Sequence, residues 1–318
     1  RIERMNSGAV KVVTNPHSIG FGGVNYIVIP PELSGDKAKI IALVGGKRFP
    51  TGAHKVGVFT SEENCFDESV VQKIEKDKTK GLFVTVGQAG IILTSPDGTT
   101  WTQRTSPPGP FGARVHLYDV TYGNGLFVTV GGDNGTILIS PDGITWAKRD
   151  SGTSSDLYGV TYGNGLFVTV GYSGTILTSS DGTTWTERTS GISENLYGVT
   201  YGNGTFVTVG LTGTVLTSSD GTSWDNRTSG TSNGLYNIFY GNSTFVAVGH
   251  SGTILTSSDG TTWTSRTSGS SQGMWNIFYG NSTFVAVGNS GTILTSSDGI
   301  TWTSRTSGTT EDLFGITY

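Results

Sequence analysis

The chain has 318 residues, enough for one large domain or two ordinary ones, and only 14% of them are charged against the usual quarter. Its net charge of −4 is unevenly spread, with 12 Lys+Arg against 9 Asp+Glu in residues 1–80 and 8 against 15 in residues 81–318. The acidic main body lacks the basic footprint of a nucleic-acid binder. The single Cys65 rules out an intrachain disulfide framework and reads as a small buried apolar residue. No apolar run approaches the roughly 18 residues of a membrane span. Arg1 in first position is compatible with a processed or trimmed chain.

In chain order, residues 1–80 come first and read as a worn repeat with long insertions. "KIIALVGG" resembles a second strand of a blade, and "KVGVFTSEENCF" a third strand and the start of a fourth, with Glu62-Glu63-Asn64 and Phe66 where later units carry Asp-Gly and Trp. The next unit has "GLFVTVGQAGIILTSPDGTTWTQRTS" from Gly81, its first strand expected within "ESVVQKIEKDK". Five regular units then begin at Leu117, Leu157, Leu196, Leu235 and Met274. Their Asp-Gly aspartates, with that of the preceding unit, are spaced by 45 residues once and then by 39.

Each unit divides into four short runs rich in Val, Ile, Thr, Tyr and Phe, as strands prefer. Strand A ("LYGVTY") and strand B ("LFVTVG") are separated by Asn-Gly or Asn-Ser. A short Gly-bearing link leads to strand C ("TILTS"), and Asp-Gly leads to strand D ("TTWTER"). Such dipeptides between apolar runs predict tight hairpins. Four antiparallel strands in about 40 residues, repeated, predict a β-propeller. One worn blade at 1–80, one from Gly81 and five regular ones give an expected all-β propeller of seven four-stranded blades. The final "LFGITY" (313–318) is a lone strand A, and pairing it into the first blade would close the ring and hide a sheet edge.

Ser179, Asp181, Gly182, Thr184 and Trp185, with the equivalent sets from Ser95, Ser140, Ser218, Ser257 and Ser296, resemble the Asp-box of sialidase-type (BNR) repeat propellers. Asp and Gly are adjacent here, one residue shorter than in that family, so the pattern is a variant, similar to the repeats of photosystem II assembly-factor-like and phage or surface propellers. The resemblance covers residues 81–318 and speaks to fold more than to function. The aspartates Asp97, Asp142, Asp181, Asp220, Asp259 and Asp298 are expected to cap their own turns. The tryptophans Trp101, Trp146, Trp185, Trp224, Trp263 and Trp302 are expected to seal the apolar layer between blades. Arg104, Arg149, Arg188, Arg227, Arg266 and Arg305 recur three residues after each Trp, on outer strands, and read as structural. No catalytic pair of carboxylates, nucleophile elbow or P-loop stands out, and His17, His54, His116 and His250 lack metal-ligand spacing, so no catalytic residue, metal or cofactor is expected.

Variation among the units falls in two places. The A–B and C–D turns are nearly constant, whereas the B–C turns change through Asp133, Tyr172, Leu211, His250 and Asn289. The D–A links change too, and strand A varies at its third position (Asp119, Asn237, Asn276, with Gly159, Gly198 and Gly315) and at its second, which is Tyr except at Trp275 and Phe314. In an antiparallel blade these positions share one face and the channel mouth below it. Asp133, Tyr172, Leu211, His250, Asn289, Asp119, Asn237, Asn276 and Trp275 are therefore the candidate binding residues. The expected role is a non-enzymatic binding or scaffold propeller for a protein or glycan, at a cell surface, outside the cell or in a virion, with net-positive residues 1–80 docking on a larger assembly. The alternatives are an assembly chaperone and, less favoured, a sialidase-type glycoside hydrolase with Asp119 as its channel carboxylate.

Overall fold

The computed structural model describes residues 81–108 and 115–316 in full, together with the backbone of four strands within residues 1–80. The chain divides into two compact units, residues 1–79 and 80–318. In the first, the described strands form two separate antiparallel pairs, Ile2–Arg4 with Val10–Val12 and Val24–Ile29 with Lys39–Val44.

The second unit contains six blades. Blade 1 has described strands B (Phe83–Val86), C (Ile92–Ser95) and D (Thr102–Arg104). Blades 2 to 6 are four-stranded sheets in the order A-B-C-D, with strand A at Leu117–Gly123, Leu157–Gly163, Leu196–Gly202, Leu235–Gly241 and Met274–Gly280. The A strands of successive blades touch one another, so strand A is innermost and strand D, three residues long, is the outer edge.

The expectation of seven blades is thus corrected to six. "KIIALVGG" does form a strand at Lys39–Val44, but among the described residues it pairs with Val24–Ile29 in a two-stranded sheet and not within a four-stranded one. The physical reason lies in the C–D turn: residues 1–80 have no Trp and no Ser-x-Asp-Gly sequence, so the contacts that cap and seal every true blade have no residues to make them. The segments expected as "KVGVFTSEENCF" strands, Cys65, and the first strand of blade 1 lie outside the described residues.

Closure by a terminal strand is also corrected. Leu313–Ile316 is not in a strand. Leu313 N–H donates to Gly288 O at 3.0 Å, and the Phe314 ring packs on Trp275 with centroids 5.8 Å apart. The segment follows the path of a strand A.

The core lies between blades. Val128, Val130 and Ile137 of blade 2 meet Leu157, Val160 and Phe167 of blade 3, with Trp185 packed against the cluster, and the same layer recurs between later blades. Phe167, Phe206, Phe245 and Phe284 are fully buried. Each such ring contributes on the order of 2–3 kcal/mol by leaving water. The A–B turns fasten neighbours together: the side-chain amides of Asn124, Asn203 and Asn242 donate to the Ser180, Ser258 and Ser297 carbonyls of the next blade's C–D turn.

The Asn-Gly turns have both central residues at positive φ, as in Asn164 (48°) and Gly165 (75°). This is the hairpin turn whose twist matches its strands. Blades 5 and 6 place Ser243 and Ser282 at φ 57° where blades 2 to 4 use Gly. Ser243→Gly with Ser282→Gly is expected to raise stability by about 1 kcal/mol in total, the relief of two strained side chains less the added chain entropy. Chemical denaturation of the double variant measures this.

Candidate functional site: the B–C and D–A face

The constant turns are built to hold themselves. In blade 3, Asp181 Oδ1 accepts from Ser179 Oγ at 3.0 Å and from the N–H groups of Thr183 and Thr184 at 2.8 and 2.9 Å. The Trp185 indole donates to Gly182 O at 3.1 Å while its ring faces Phe167. The same bonds recur at Asp97, Asp142, Asp220, Asp259 and Asp298. Backbone and hydroxyl donors hold these six carboxylates below the ordinary aspartate range.

The arginines are structural as read. Arg188 Nε donates to Thr178 Oγ1 at 2.8 Å, and Arg104, Arg227, Arg266 and Arg305 do the same to their own strand C threonines. Blade 2 departs from the pattern because Ile139 replaces that Thr, and Arg149 Nε is buried without a partner.

The opposite face is different. In blades 2 to 6 the ladder between strands A and B slips by one residue just inside strand A. Leu157 pairs with Gly171 and Gly159 with Val170, so Tyr158 is an extra, bulged residue. The bulge recurs at Tyr118, Tyr197, Tyr236 and Trp275. A bulge re-aims a side chain away from the pleat. Repeated five times, it lines up the rings of Tyr118, Tyr158, Tyr197, Tyr236 and Trp275, and Phe314 continues the row. Centroids of successive rings are 5.6, 5.4, 5.9, 4.7 and 5.8 Å apart. Tyr236 and Trp275 are stacked within 20° of parallel. Tyr118 and Phe314, at the two ends of the row among the described residues, are 48% and 67% exposed.

The candidate turn residues flank this row. Asp133, Tyr172, Leu211 and His250 are exposed, and Asn289 is half-buried. The Trp275 indole donates to Asn289 Oδ1, so two of the candidates are joined directly. His250 Nδ1 lies 2.7 Å from Ser251 Oγ. The links reach over the turns as well: Ser173 N–H donates to Asn195 Oδ1 and Ser290 N–H to Asp312 Oδ1, both at 2.9 Å. Two open polar grooves of about 680 and 570 Å³ follow the same links outward, along Arg305–Thr310 and Arg227–Ser232.

The third position of strand A plays another part. Asp119 is held between blades, accepting from Val120 N–H at 2.8 Å on Oδ1 and from Val160 N–H at 2.9 Å on Oδ2. Burial outweighs these two donors and pushes its carboxyl up to about 6. Gly159 occupies the equivalent place in blade 3, where a Cβ would stand 2.7 Å from the Tyr197 carbonyl. This position sets the spacing of the inner strands. Asn237 and Asn276 occupy it in blades 5 and 6, half-buried.

Sequence reading singled out Trp275 and passed over the tyrosines in the same register. Their signal was present as an aromatic at the second position of every strand A. It was hidden because "LYGVTY" reads as regular alternation, and only the bulge shows which way the ring turns. Asp156 was missed likewise. It precedes strand A of blade 3, its carboxylate within the space beside Gly132 that also holds the Tyr118 hydroxyl. Burial, then the charge of Asp156, raises the Tyr158 phenol to about 12, and the same two causes with Asp133 raise Tyr118. Burial raises Tyr236 too.

Among the described residues no group of three His, Cys, Asp or Glu side chains is placed to hold a metal. No helix among them is long and apolar enough to cross a membrane. Fold and site together define a β-propeller with one self-capped face and one aromatic face.

The comparisons place it among known propellers. Residues 71–196 match a family model described as the DUF6242 beta propeller domain. No curated protein sequence matches the chain. Among solved structures, YCF48 bound to D1 peptide is similar at 20% identity with a TM-score of 0.56, over 71% of this chain and 77% of that one. YCF48 from Cyanidioschyzon merolae is similar at 17% identity and a TM-score of 0.58, over 74% and 85%. The computationally designed Ika8 protein follows at 14% identity and a TM-score of 0.56, over 75% and 77%. At these identities the likeness is one of fold.

Proposed function

We propose that this chain is a non-enzymatic propeller that binds a protein partner on its B–C and D–A face, as an assembly factor or scaffold does. The observation that carries the reading is the row of aromatic rings turned out by the repeated bulge. Aromatic rings supply large, stiff contact area at little entropic cost and concentrate at interfaces. Asp133, Tyr172, Leu211, His250, Asn289 and Trp275 surround the row and give each blade a different chemical face. The carboxylates of the opposite turns are occupied by their own backbone donors, which suits scaffolding better than acid–base chemistry. A peptide on a propeller of this fold has a precedent in the similar YCF48 structure bound to D1 peptide. The resemblance of the C–D turns to a variant Asp-box, a surface or virion setting, and docking of residues 1–80 on a larger assembly belong to the same proposal.

A photo-crosslinking amino acid at position 172, on the aromatic face, is expected to give a discrete protein adduct in extract of the source cells. The same group at position 144, on the C–D turn, is expected to give none. Adducts from 144 and not from 172 would overturn the proposal. A glycan is the second reading, because the same rings could stack on sugar faces, and a neutral glycan array without hydrolysis separates it from the first.

A further inference from the structure

We infer that the aromatic face receives arginine side chains of its partner, with the first guanidinium seated between the Tyr118 and Tyr158 rings and the carboxylates of Asp156 and Asp133. The inference rests on the protein-binding reading above and gives that partner a chemistry. It starts from a comparison inside the chain. The residue just before strand A caps the preceding blade's B–C turn where it can, as Asn195 does for Ser173 and Asp312 for Ser290. Asp156 holds the same place. The turn it faces is longer, Gly132-Asp133-Asn134-Gly135 where blade 3 has Tyr172-Ser173-Gly174, and among the described residues the Asp156 carboxylate accepts no hydrogen bond. A half-buried carboxylate without a donor is a place for a cation.

The surroundings select the kind of cation. A point beside the Gly132 Cα lies 3.2 Å from Tyr118 Oη and 3.5 Å from Asp156 Oδ1, so phenol and carboxylate border one space that glycine leaves open. The Tyr118 and Tyr158 rings meet at 55° with centroids 5.6 Å apart, which presents a tilted wall of π-surface. A planar guanidinium can lie on such a ring and present its fork to a carboxylate, which an ammonium cannot do equally well. Beyond this seat the row continues through Tyr197 and Tyr236 to Trp275, and the links that lead into the neighbouring A strands carry Glu194 and Glu311. The described residues of the B–C turns and D–A links contain no Lys or Arg. An extended chain with arginine at intervals fits both the rings and the charge.

The test uses the full chain and fluorescein-labelled (Arg-Gly)4, (Lys-Gly)4 and (Glu-Gly)4 peptides, read by fluorescence anisotropy. The arginine peptide is expected to bind more tightly than the lysine peptide, and the glutamate peptide not at all. Asp156→Asn and Tyr118→Ala are each expected to weaken the arginine peptide by about tenfold, the loss of one charge-assisted bond or one cation–π contact. Glu187→Gln, on the outer strand D, is expected to leave it unchanged, and thermal melting establishes that each variant is folded. No binding of the arginine peptide, or equal weakening by Asp156→Asn and Glu187→Gln, overturns the inference. A protein adduct at position 172 that persists in Asp156→Asn, with no binding of the arginine peptide, removes this inference and leaves the protein-binding reading standing.

Discussion

Gly202→Ala is expected to cost about 3 kcal/mol, near the upper end for overpacking a core, and to lower the melting temperature by roughly 6–12 °C. Gly202 ends strand A of blade 4 and is buried against the next blade. A Cβ there would sit 2.0 Å from Cγ of Tyr240 and 2.3 Å from its Cδ1. These atoms are at the root of the side chain, so the ring has no room to swing aside without moving strand A of blade 5. The Tyr240 ring is also fixed from behind by Phe245, with centroids 4.6 Å apart. The same seat recurs at Gly123, Gly163 and Gly241, under Tyr162, Tyr201 and Tyr279. A double-mutant cycle isolates the cause. Tyr240→Ala should cost less in the Gly202→Ala background than alone, because the clash has gone with the ring. Additive effects would mean that Gly202 is needed for a reason other than this seat.

The second large effect is a pH dependence centred on Asp119. Its carboxyl is raised to about 6 by burial, against about 3.8 for an ordinary aspartate. The folded state therefore holds a proton that the unfolded chain has already lost. Stability from this group is full below about pH 4 and is lost as the pH rises through 6. The two values differ enough for the loss to reach about 3 kcal/mol. The six turn aspartates act in the opposite sense. Their folded-state values are lowered by backbone and hydroxyl donors, so their contribution is present above about pH 4 and is lost as the pH falls below it. Stability should therefore peak near pH 4 and decline from there to about pH 6. Asp119→Asn should flatten the decline between pH 4 and 6 and leave the acid limb in place. Melting curves across pH 3–8 measure both limbs, and an unchanged decline in Asp119→Asn would assign it to another group.

Much of the architecture could be read from residues because its determinants are local. Asn-Gly and Asn-Ser fall at the A–B turns, Asp-Gly at the C–D turns, and the Trp indole bonds within three residues of itself. The blade count was less legible. Lys39–Val44 has the composition of a strand, but composition does not choose a partner strand, and this one pairs with Val24–Ile29. The terminal "LFGITY" has the sequence of a strand A, yet Leu313–Ile316 is not in a strand, because composition alone does not supply a ladder partner. The candidate face was legible as variation among the B–C turns and D–A links, and Trp275 and Asn289 do meet there. The aromatic row was not, because a one-residue slip in pairing leaves no mark in the hydrophobic pattern. Asp119 stood out as a charge in a variable position, but its bond to Val160 of the next blade joins residues 41 apart.

Two faces of one propeller have been given different roles, the self-capped turns to folding and the aromatic face to binding. Hydrogen–deuterium exchange of the full chain, with and without a saturating partner or the (Arg-Gly)4 peptide, sets these roles against each other most directly. The account predicts new protection at the B–C turns and D–A links, strongest around Gly132, Asp156 and Tyr158, with the Asn-Gly and Asp-Gly turns unchanged. Protection centred on the Asp-Gly turns, with the aromatic face unaltered, would contradict it.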